Sequence, residues 1–473
     1  MAAQYLHGVE TIESEIGGQT ISVVKSSVIA LVGIAPTGPS NVLTLCTTPA
    51  DDAQFGKALP GFNIPKTLQV IRAIAGSSPV LVVNVFNPTT HTVAVTAESQ
   101  TVTNGRLKLA FPPIGTVTIK LNDGTTDAPI VKDVDYTLDE FGNFQAISTN
   151  IANATTYKFT YKKLDGSTVT TTNLIGAVDV NNNRTGMALF DLAYNTFGFK
   201  PKVMISPTYS SLSAIAAAFA AAANKFRAIY ILDAPYGTTP SAAIAGRGIA
   251  GSLVFNTSDQ RAFLLYPYIK TFDDYLQADA DYPYSAFMAG VIIKTDADLG
   301  YWYSPSNKQI PNATGSERTI EWAINDANCE ANQLNAAGIT TVAAGYGTGL
   351  RTWGNRNAAF PSSTTVKNFV SIRRADDMVI ETMELASIDF IDQPLSQAQI
   401  DAIREAGNTF IRSLIQRGAV LPGSRVLYNK ADNPASELAA GRVTFERVYM
   451  CPPPIERITY KDVLDISLLN QFN

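Results

Sequence analysis

The residue type that most often acts as a general base or a metal ligand is nearly missing from this chain of 473 residues. It contains two histidines, His7 and His91, although histidine is the usual base near neutral pH and the commonest metal ligand. His7 lies in a polar N-terminal stretch, and His91 lies at the edge of a threonine-rich region. Neither position suits a Ser-His-Asp triad or a histidine-rich metal site, so the sequence predicts no catalytic residue and no metal.

One short run has the spacing of a phosphate-binding loop. Residues 246–251 read GRGIAG, which matches the GxGxxG pattern of dinucleotide-binding folds. That fold needs a strand directly before the glycines and a helix directly after them. Residues 241–245 instead favour a helix, so the glycines are predicted to end or kink that helix. The chain also has no Walker A sequence, and the sequence predicts no cofactor.

The remaining reactive side chains favour structural roles. Adjacent aspartates occur at 51–52, 273–274 and 376–377, in charged contexts typical of solvated faces or helix caps. Cys46, Cys329 and Cys451 are scattered, odd in number and without CxxC spacing, which favours buried thiols in a reduced compartment. The aromatic triplet at 301–303 could stack on a base or a sugar, but a packing wedge between elements or between subunits is the favoured interpretation.

Composition indicates a globular protein whose surface, poor in charge, either repels its neighbours weakly or is partly covered in an assembly. Hydrophobic residues make up 46% of the chain, charged residues make up 16%, and the net charge is −5. The absence of a long basic run argues against direct nucleic-acid binding. The N-terminus lacks the features of a signal peptide and no apolar run reaches about 18 residues. We therefore expect cytoplasmic synthesis and no membrane insertion.

The pattern of elements indicates an α/β core interrupted by an all-β insert. Residues 21–35 form an apolar, β-branched run that predicts a buried strand, followed by a helix at 65–75 and a strand at 79–86. From residue 91 to 180 the composition and the residue pattern change, with 17 threonines in 90 residues and turn signals at 122–124 and 165–166. This region predicts a small β-sandwich inserted into the α/β domain.

Helix and strand patterns alternate again from residue 184. The predicted helices are 187–197, 211–226, 285–293, 321–335, 374–390 and 396–417, the last opened by a capping box of Ser396 and Gln399. The predicted strands are 202–206, 228–232, 365–372, 426–428 and 442–450, with a hairpin at 338–353. Three prolines at 452–454 precede a terminal strand and arm from residue 455.

Several segments, in this order, resemble the contractile phage tail sheath protein family of the myovirus type. They are GVE (8–10), SVIALVGIAPTGP (27–39), FG (55–56), DLGYWYSPSN (298–307), RTWGNR (351–356), FVSIRR (369–374) and PIERITY (454–460). The matches span nearly the whole chain, while the β insert matches only in kind. Each motif is moderately specific, and the ordered set is specific.

The resemblance implies a tail-sheath-like α/β core, an inserted all-β sandwich domain and extended N- and C-terminal arms. The corresponding domains are an N-terminal arm (1–20), core parts 21–90 and 184–345, the insert (91–183), a C-terminal sheath domain (346–454) and a C-terminal strand and arm (455–473). It also implies a structural, non-enzymatic subunit that polymerises as a helical stack of hexameric rings around the tail tube protein. Contraction from a metastable extended state would drive the tube through the host envelope.

The resemblance further implies contacts with baseplate and tail terminator proteins, a place in the virion, and assembly in the host bacterial cytoplasm. A sheath of an R-type pyocin or a related contractile injection system is an open alternative. Two other protein classes are disfavoured. The misplaced histidines argue against an α/β hydrolase-like enzyme with a β module, and the missing export signal argues against a β-rich surface adhesin.

Two sets of residues are expected to carry this function. Arms that add strands to neighbouring subunits would use main-chain hydrogen bonds, with a flexible joint at the twin glycines. The candidate arm contacts are Tyr5, Val9, Ile12, Gly17, Gly18, Ile455, Ile458, Tyr460, Val463 and Ile466. The candidate charges facing the tube are Arg373, Arg374, Asp376, Asp377, Arg404 and Glu405; the alternative is that Arg373 and Arg374 only buttress a helix start.

Overall fold

The chain folds into two compact units. The computed structural model describes residues 25–248, 251, 253–345 and 347–468. The larger unit is Ser26–Arg373, and the smaller unit contains Lys25 and 374–468 among the described residues. The all-β region lies within the larger unit, and so do residues 346–373, which the sequence assigned to a C-terminal domain.

The larger unit contains seventeen described strands and eight described α-helices. The strands are β1 (Ile29–Gly33), β2 (Leu43–Cys46), β3 (Val80–Asn84), β4 (Thr92–Thr101), β5 (Arg106–Lys108), β6 (Pro113–Leu121), β7 (Tyr136–Leu138), β8 (Asn143–Ala146), β9 (Thr156–Leu164), β10 (Val203–Ile205), β11 (Ile229–Asp233), β12 (Ala262–Leu265), β13 (Ile269–Asp273), β14 (Ala278–Tyr282), β15 (Gly315–Ser316), β16 (Ile339–Gly345) and β17 (Gly349–Trp353). The helices are α1 (Pro49–Asp52), α2 (Ile64–Ala75), α3 (Thr171–Ile175), α4 (Ala193–Phe197), α5 (Ser213–Phe226), α6 (Pro240–Ala245), α7 (Tyr284–Asp298) and α8 (Glu330–Ala336).

An eight-stranded sheet forms the core of the larger unit. Its order is β17-β16-β12-β11-β10-β1-β3-β2, with parallel pairing from β3 to β16 and antiparallel strands at both edges. Every residue of β1, β3 and β11 is buried. Parallel strands covered on both faces require such continuous apolar runs, so the run that predicted a buried strand before residue 35 is confirmed as β1.

The threonine-rich region forms two three-stranded antiparallel sheets, β4-β9-β6 and β5-β8-β7. They share a separate apolar core that includes Leu107, Phe144, Phe159 and Tyr161. Both outer strands of the first sheet carry irregularities, between Val95 and Glu98 in β4 and within β6. Bulges of this kind discourage pairing with other sheets, so these edges are poor candidates for strand addition.

The C-terminal elements are three helices and two short strands. They are α9 (Val370–Ala386), α10 (Gln397–Gln416), α11 (Ala435–Ala439), β18 (Arg425–Leu427) and β19 (Glu446–Val448). The Ser396 hydroxyl accepts a hydrogen bond from the Gln399 amide at 3.2 Å, which confirms the predicted start of α10. Ile400, Phe410, Ile411 and Leu414 are buried along one face of that helix, with the spacing of an amphipathic helix.

Four sequence predictions are wrong in part. The strand predicted at 365–372 is a 3₁₀ turn (Val366–Asn368) followed by α9, because the β-branched run continues into buried Ala375, Met378 and Val379 at helical spacing. The helix predicted at 321–335 begins only at Glu330. There the Asp326 carboxylate accepts from the Asn328 amide in a turn, as aspartate and asparagine often do.

The other two differences concern the C-terminal strands. Of the strand predicted at 442–450 only β19 forms, since residue 441 lies in a turn and residues 442–445 carry no regular structure. The strand predicted from residue 455 has no ladder partner among the described residues, and residues 455–465 carry no regular structure. A strand needs a second strand to satisfy its backbone groups, and the described part of the chain supplies none for this segment.

Candidate assembly surfaces

The crevice where an α/β protein of this topology usually binds a small molecule is bridged by a side chain of the protein itself. Strand order reverses at β1, between β3 and β10, and ligands commonly occupy the crevice at such a point. Here the buried Asn63 side chain bridges the two loops. Its Oδ1 accepts from the Ile34 amide at 2.8 Å, and its Nδ2 donates to the Pro207 carbonyl at 2.6 Å. A Cβ on Gly33 would lie 2.3 Å from that Oδ1.

The GxGxxG match is structural. It follows α6 and not a strand, and Gly246 caps that helix, as the sequence predicted. The half-buried Arg247 guanidinium donates to five backbone carbonyls: Phe255, Thr257, Ala337, Ala358 and Phe360. Burial lowers the pKa of Arg247, yet five acceptors keep the cation satisfied. The side chain therefore clasps three loops of the larger unit.

His91 also has a structural role. Its Nδ1 accepts a hydrogen bond from the Asn87 amide at 2.9 Å, and its ring lies 5.3 Å from the Phe86 ring. Its carbonyl accepts from the Asp165 amide, so His91 joins the two chain segments that enter the β region. Within the described part of the chain no three His, Cys, Asp or Glu side chains are grouped to hold a metal. No described helix is long and apolar enough to cross a membrane.

Three of the motifs that carry the family resemblance contact one another. The run at 298–307 meets RTWGNR, where the Thr352 hydroxyl donates to the Pro305 carbonyl at 2.6 Å and the Ser306 hydroxyl accepts from the Gly354 amide at 2.9 Å. The run FVSIRR then meets the end of RTWGNR, since the Arg356 guanidinium lies 3.7 Å from the Phe369 ring centre. These motifs position backbone segments of one structural unit.

The aromatic triplet packs within the same structural unit. Tyr301 is buried and its ring is 5.0 Å from that of Trp302 in an edge-on arrangement. Gly300 has φ of +117°, and a Cβ there would come within 2.5 Å of the Trp302 ring. Glycine is required by both the backbone angle and the close approach, which supports a packing wedge.

Among the residues that the structure describes, the C-terminal sheet of β18 and β19, called the hairpin here, has one closed edge and one open edge. β18 and β19 form a two-stranded antiparallel sheet in which Val426 lies opposite Arg447. The Asn408 side chain bonds both the Val426 amide, at 2.8 Å, and the Val426 carbonyl, at 3.1 Å. Because the Val426 backbone bonds Asn408 and not β19, Val426 and Arg447 form a non-hydrogen-bonded pair, in which the backbone groups of the two residues point away from each other. The backbone groups of Arg447 therefore face the outer side of β19. All three residues of β19 are exposed.

A groove lies beside this hairpin. Its volume is about 310 Å³, and it is lined by residues of α9, of the turn after it, of α10 and of the hairpin: Met383, Glu384, Ala386, Ser387, Phe390, Ile403, Ala406, Gly407, Val426, Phe445 and Arg447. The floor uses small residues at Ala406 and Gly407. A Cβ on Gly407 would lie 3.0 Å from Met383 and Val426 side-chain atoms, so glycine brings α10 close to both.

The C-terminal segment, defined here as residues 452–468, exposes its apolar side chains. Seven large apolar residues are 65–96% exposed: Ile455, Ile458, Tyr460, Val463, Leu464, Ile466 and Leu468. All five of the predicted C-terminal arm contacts belong to this group. The predicted N-terminal contacts Tyr5, Val9, Ile12, Gly17 and Gly18 lie outside the described residues.

The six candidate charges differ in accessibility. Arg373, Arg374, Asp376 and Asp377 are buried, and the Tyr449 hydroxyl donates to Asp376 at 2.5 Å. Burial, followed by that bond, raises the pKa of Tyr449.

Arg404 and Glu405 are exposed on α10. Arg404 pairs with Asp401 at 3.0 Å, and Glu405 pairs with Arg412. Sequence reasoning placed all six charges in one class, because nothing local distinguishes a buried aspartate from an exposed one.

Comparisons with known proteins agree on one family. A family model described as the phage tail sheath protein central domain matches residues 182–358. The chain is 41% identical over 466 residues to the tail sheath protein of Burkholderia phage BcepMu, covering 98% of this chain and 97% of that relative. It is 26% identical over 302 residues to the tail sheath protein of Escherichia phage P2, covering 64% and 73%.

Solved structures agree on the fold. The contracted helical sheath of the anti-feeding prophage superposes with a TM-score of 0.60 at 17% identity, covering 98% of this chain and all of that chain. The contracted sheath of an extracellular contractile injection system, the PVC sheath complex, gives a TM-score of 0.59 at 14% identity, covering 99% and 100%. The chain belongs to the phage tail sheath protein family and is a subunit of a contractile sheath.

Proposed function

We propose that this subunit polymerises by donating its C-terminal segment to the hairpin of a neighbouring subunit. The observation that carries the proposal is the exposure of seven large apolar side chains between Ile455 and Leu468, at 65–96% each. Burying one such side chain fully contributes about 1.5–3 kcal/mol. A run of this kind is expected to be covered in the assembled protein.

The open edge of β19 is the acceptor that fits this donor. A two-stranded sheet is marginally stable by itself and gains from further strands. Asn408 occupies the outer edge of β18, so an added strand would pair with β19. Main-chain hydrogen bonds would hold the link, and extended chain before the paired segment would absorb the rotation between subunits.

Helical growth follows from this geometry. A donor and an acceptor on different surfaces make a head-to-tail contact, which generates a helix when the rotation does not close. We expect a stack of hexameric rings around a tail tube, in which residues 1–20 form the second set of links. Contraction from a metastable extended state would then proceed without loss of these links.

The subunit acts mechanically and not as an enzyme in this proposal. Its α/β crevice holds Asn63, and its His91 and the GxGxxG run serve the fold, so no chemical role is assigned to them. The energy of contraction would come from additional burial between subunits. The β region, a small sandwich in this proposal, would decorate the outside of the sheath.

The partners follow from the same role. They are other copies of the chain, a tail tube protein, and the baseplate and terminator proteins at the two ends of a tail. The subunit would assemble in the host cytoplasm and remain in the virion. The structural neighbours named for an anti-feeding prophage and a PVC complex keep a related injection system as the second candidate.

Exposed charges on α10 are the favoured contacts with the tube. Arg404 and Glu405 are accessible and paired only with exposed neighbours, and exposed pairs contribute little to stability. The buried Arg373, Arg374, Asp376 and Asp377 would need a rearrangement to reach a partner. In this proposal they stabilise α9.

Deletion of either arm tests the link. Chains lacking residues 455–473, or residues 1–16, should remain folded with an unchanged melting temperature but form no tubes in negative-stain electron microscopy. Ile458→Ser with Ile466→Ser should act like the first deletion. The matched control, Thr459→Ser with Ser467→Ala, should assemble normally. Normal tubes from the chain that lacks residues 455–473 would refute the proposal.

A further inference from the structure

The groove beside the hairpin has properties that strand addition alone does not require. Its volume of about 310 Å³ is about twice that of an apolar cavity of ~150 Å³ that accepts benzene. It is therefore large enough for an aromatic ring and a second side chain. Its lining combines apolar Met383 and Phe390 with polar Ser387 and Arg447, a combination suited to a ring with a polar tip.

The sequence of α10 keeps this groove open. Gly407 lies in the interior of a helix of 20 residues, where glycine costs about 0.8–1.0 kcal/mol relative to alanine. Its φ is in the ordinary helical range, so no backbone angle demands glycine there. Ala406 beside it is also small, and together they let Met383 and Val426 approach α10 without a large side chain filling the groove.

The groove adjoins the open edge of the hairpin. Val426 and Arg447 lie opposite each other in the sheet, and both line the groove. Side chains at directly opposed positions lie on the same face. A strand added to β19 would place alternate side chains about 4.8 Å beyond β19, on the face that carries the groove-lining Val426 and Arg447.

We infer that the groove is an anchor pocket for Tyr460 and Ile458 of the C-terminal segment of a second copy of this chain. These residues are two apart and therefore share one face of an extended strand. Tyr460 is the single aromatic residue among 452–468, and it is 84% exposed in its own chain. The inference rests on the proposed strand donation and adds which side chains give it specificity.

The occupant is a second copy and not the chain's own segment. In the structure Ile458 and Tyr460 are 67% and 84% exposed, and neither is among the residues that line the groove of their own unit. One chain thus carries both an exposed C-terminal segment, which is the donor, and the groove, which is the acceptor. Such a pair makes a heterologous contact that repeats from copy to copy.

Cross-linking between two populations tests the occupant. One full-length population carries Ser387→Cys and the other carries Tyr460→Cys; the three native cysteines are buried. Mixing under mild oxidation should give a disulfide-linked heterodimer that neither population gives alone. Ala402→Cys, at an exposed position of α10, replaces Ser387→Cys as the control and should give none.

Filling the groove tests its role in assembly. Ala406→Trp should raise the protein concentration needed for tube formation at least about tenfold, and Tyr460→Ala should raise it about 30-fold, as for an anchoring aromatic worth 2 kcal/mol. The matched control Ala402→Trp adds the same side chain to an exposed position of the same helix and should assemble normally. Thermal melting establishes that each variant is folded.

The outcomes separate this inference from the proposed function. If deletion of residues 455–473 abolishes tubes while Ala406→Trp and Tyr460→Ala assemble normally and no heterodimer forms, the anchor pocket is wrong and strand donation stands. If the deletion itself leaves tubes unchanged, both are wrong. If Ala406→Trp unfolds, the disulfide experiment decides alone.

Discussion

Replacing Arg247 by lysine tests whether the GxGxxG run is a structural clasp. The guanidinium donates to five carbonyl oxygens, including Ala337 at 2.8 Å and Ala358 at 2.6 Å. A lysine ammonium has three donors, so Arg247→Lys leaves at least two of these half-buried carbonyls without their donor. Each unsatisfied group costs about 1–3 kcal/mol. The expected loss in free energy of unfolding is therefore about 2–6 kcal/mol, large for a substitution that keeps the charge.

Urea unfolding followed by tryptophan fluorescence measures this loss. Trp302, Trp322 and Trp353 are the three tryptophans of the chain and all belong to the larger unit, so the signal reports on the unit that Arg247 holds. The control is Arg106→Lys, since Arg106 is exposed and makes one side-chain bond, to Gln145. We expect a change below about 0.5 kcal/mol there. A loss below 1 kcal/mol for Arg247→Lys would refute the role of Arg247 in holding these loops together.

Three further predictions follow from individual contacts. Asn63→Ala should destabilise the larger unit by about 2–4 kcal/mol in the same urea assay, because it leaves a buried amide and a buried carbonyl unpaired; a change near zero would mean that the crevice is not bridged. Hydrogen bonds, of which the one from Ser148 has the largest effect, lower the pKa of the Asp135 carboxyl in the folded protein. The ionised carboxylate therefore contributes stability above its unfolded pKa of about 3.9, and this contribution is lost as pH falls through the lower folded pKa. Asp135→Asn should therefore melt earlier than wild type at pH 7, with the difference closing below about pH 4; a constant difference would contradict this. Arg404→Glu should fold normally and fail to coat the tail tube in a sedimentation assay, whereas Arg106→Glu should coat it.

Much of the α/β core could be predicted from local pattern. Continuous apolar runs mark β1 and β3 because both faces of a parallel sheet are buried. The hydroxyl at Ser396 and the helical period after it mark α10. These features are set by residues close in sequence, and local rules therefore suffice.

The errors arose where tertiary contacts override local preference. The residues at 369–372 favour a strand, but their apolar positions continue into buried Ala375 and Met378, and α9 forms. In the segment 321–335, predicted as one helix, the first half forms a turn around Asp326. In both places two structures are locally acceptable, and packing decides between them.

The assembly surfaces could be predicted only in part. The apolar spacing from Ile455 onward is visible in the sequence, and its exposure agrees with an arm. The closed edge of β18 depends on Asn408, which is 18 residues away. The groove depends on Gly407 meeting Met383 and Val426. Such features need the tertiary structure, because each joins residues with no recognisable local motif.

The most direct test of this account is a helical reconstruction, by cryo-electron microscopy, of tubes grown from the full-length chain with a tail tube protein. We predict that residues 455–468 of one subunit run along β19 of another, with Tyr460 in the groove lined by Ala406 and Phe390. Tubes in which residues 455–468 remain on their own subunit, or in which β19 has no added strand, would contradict it.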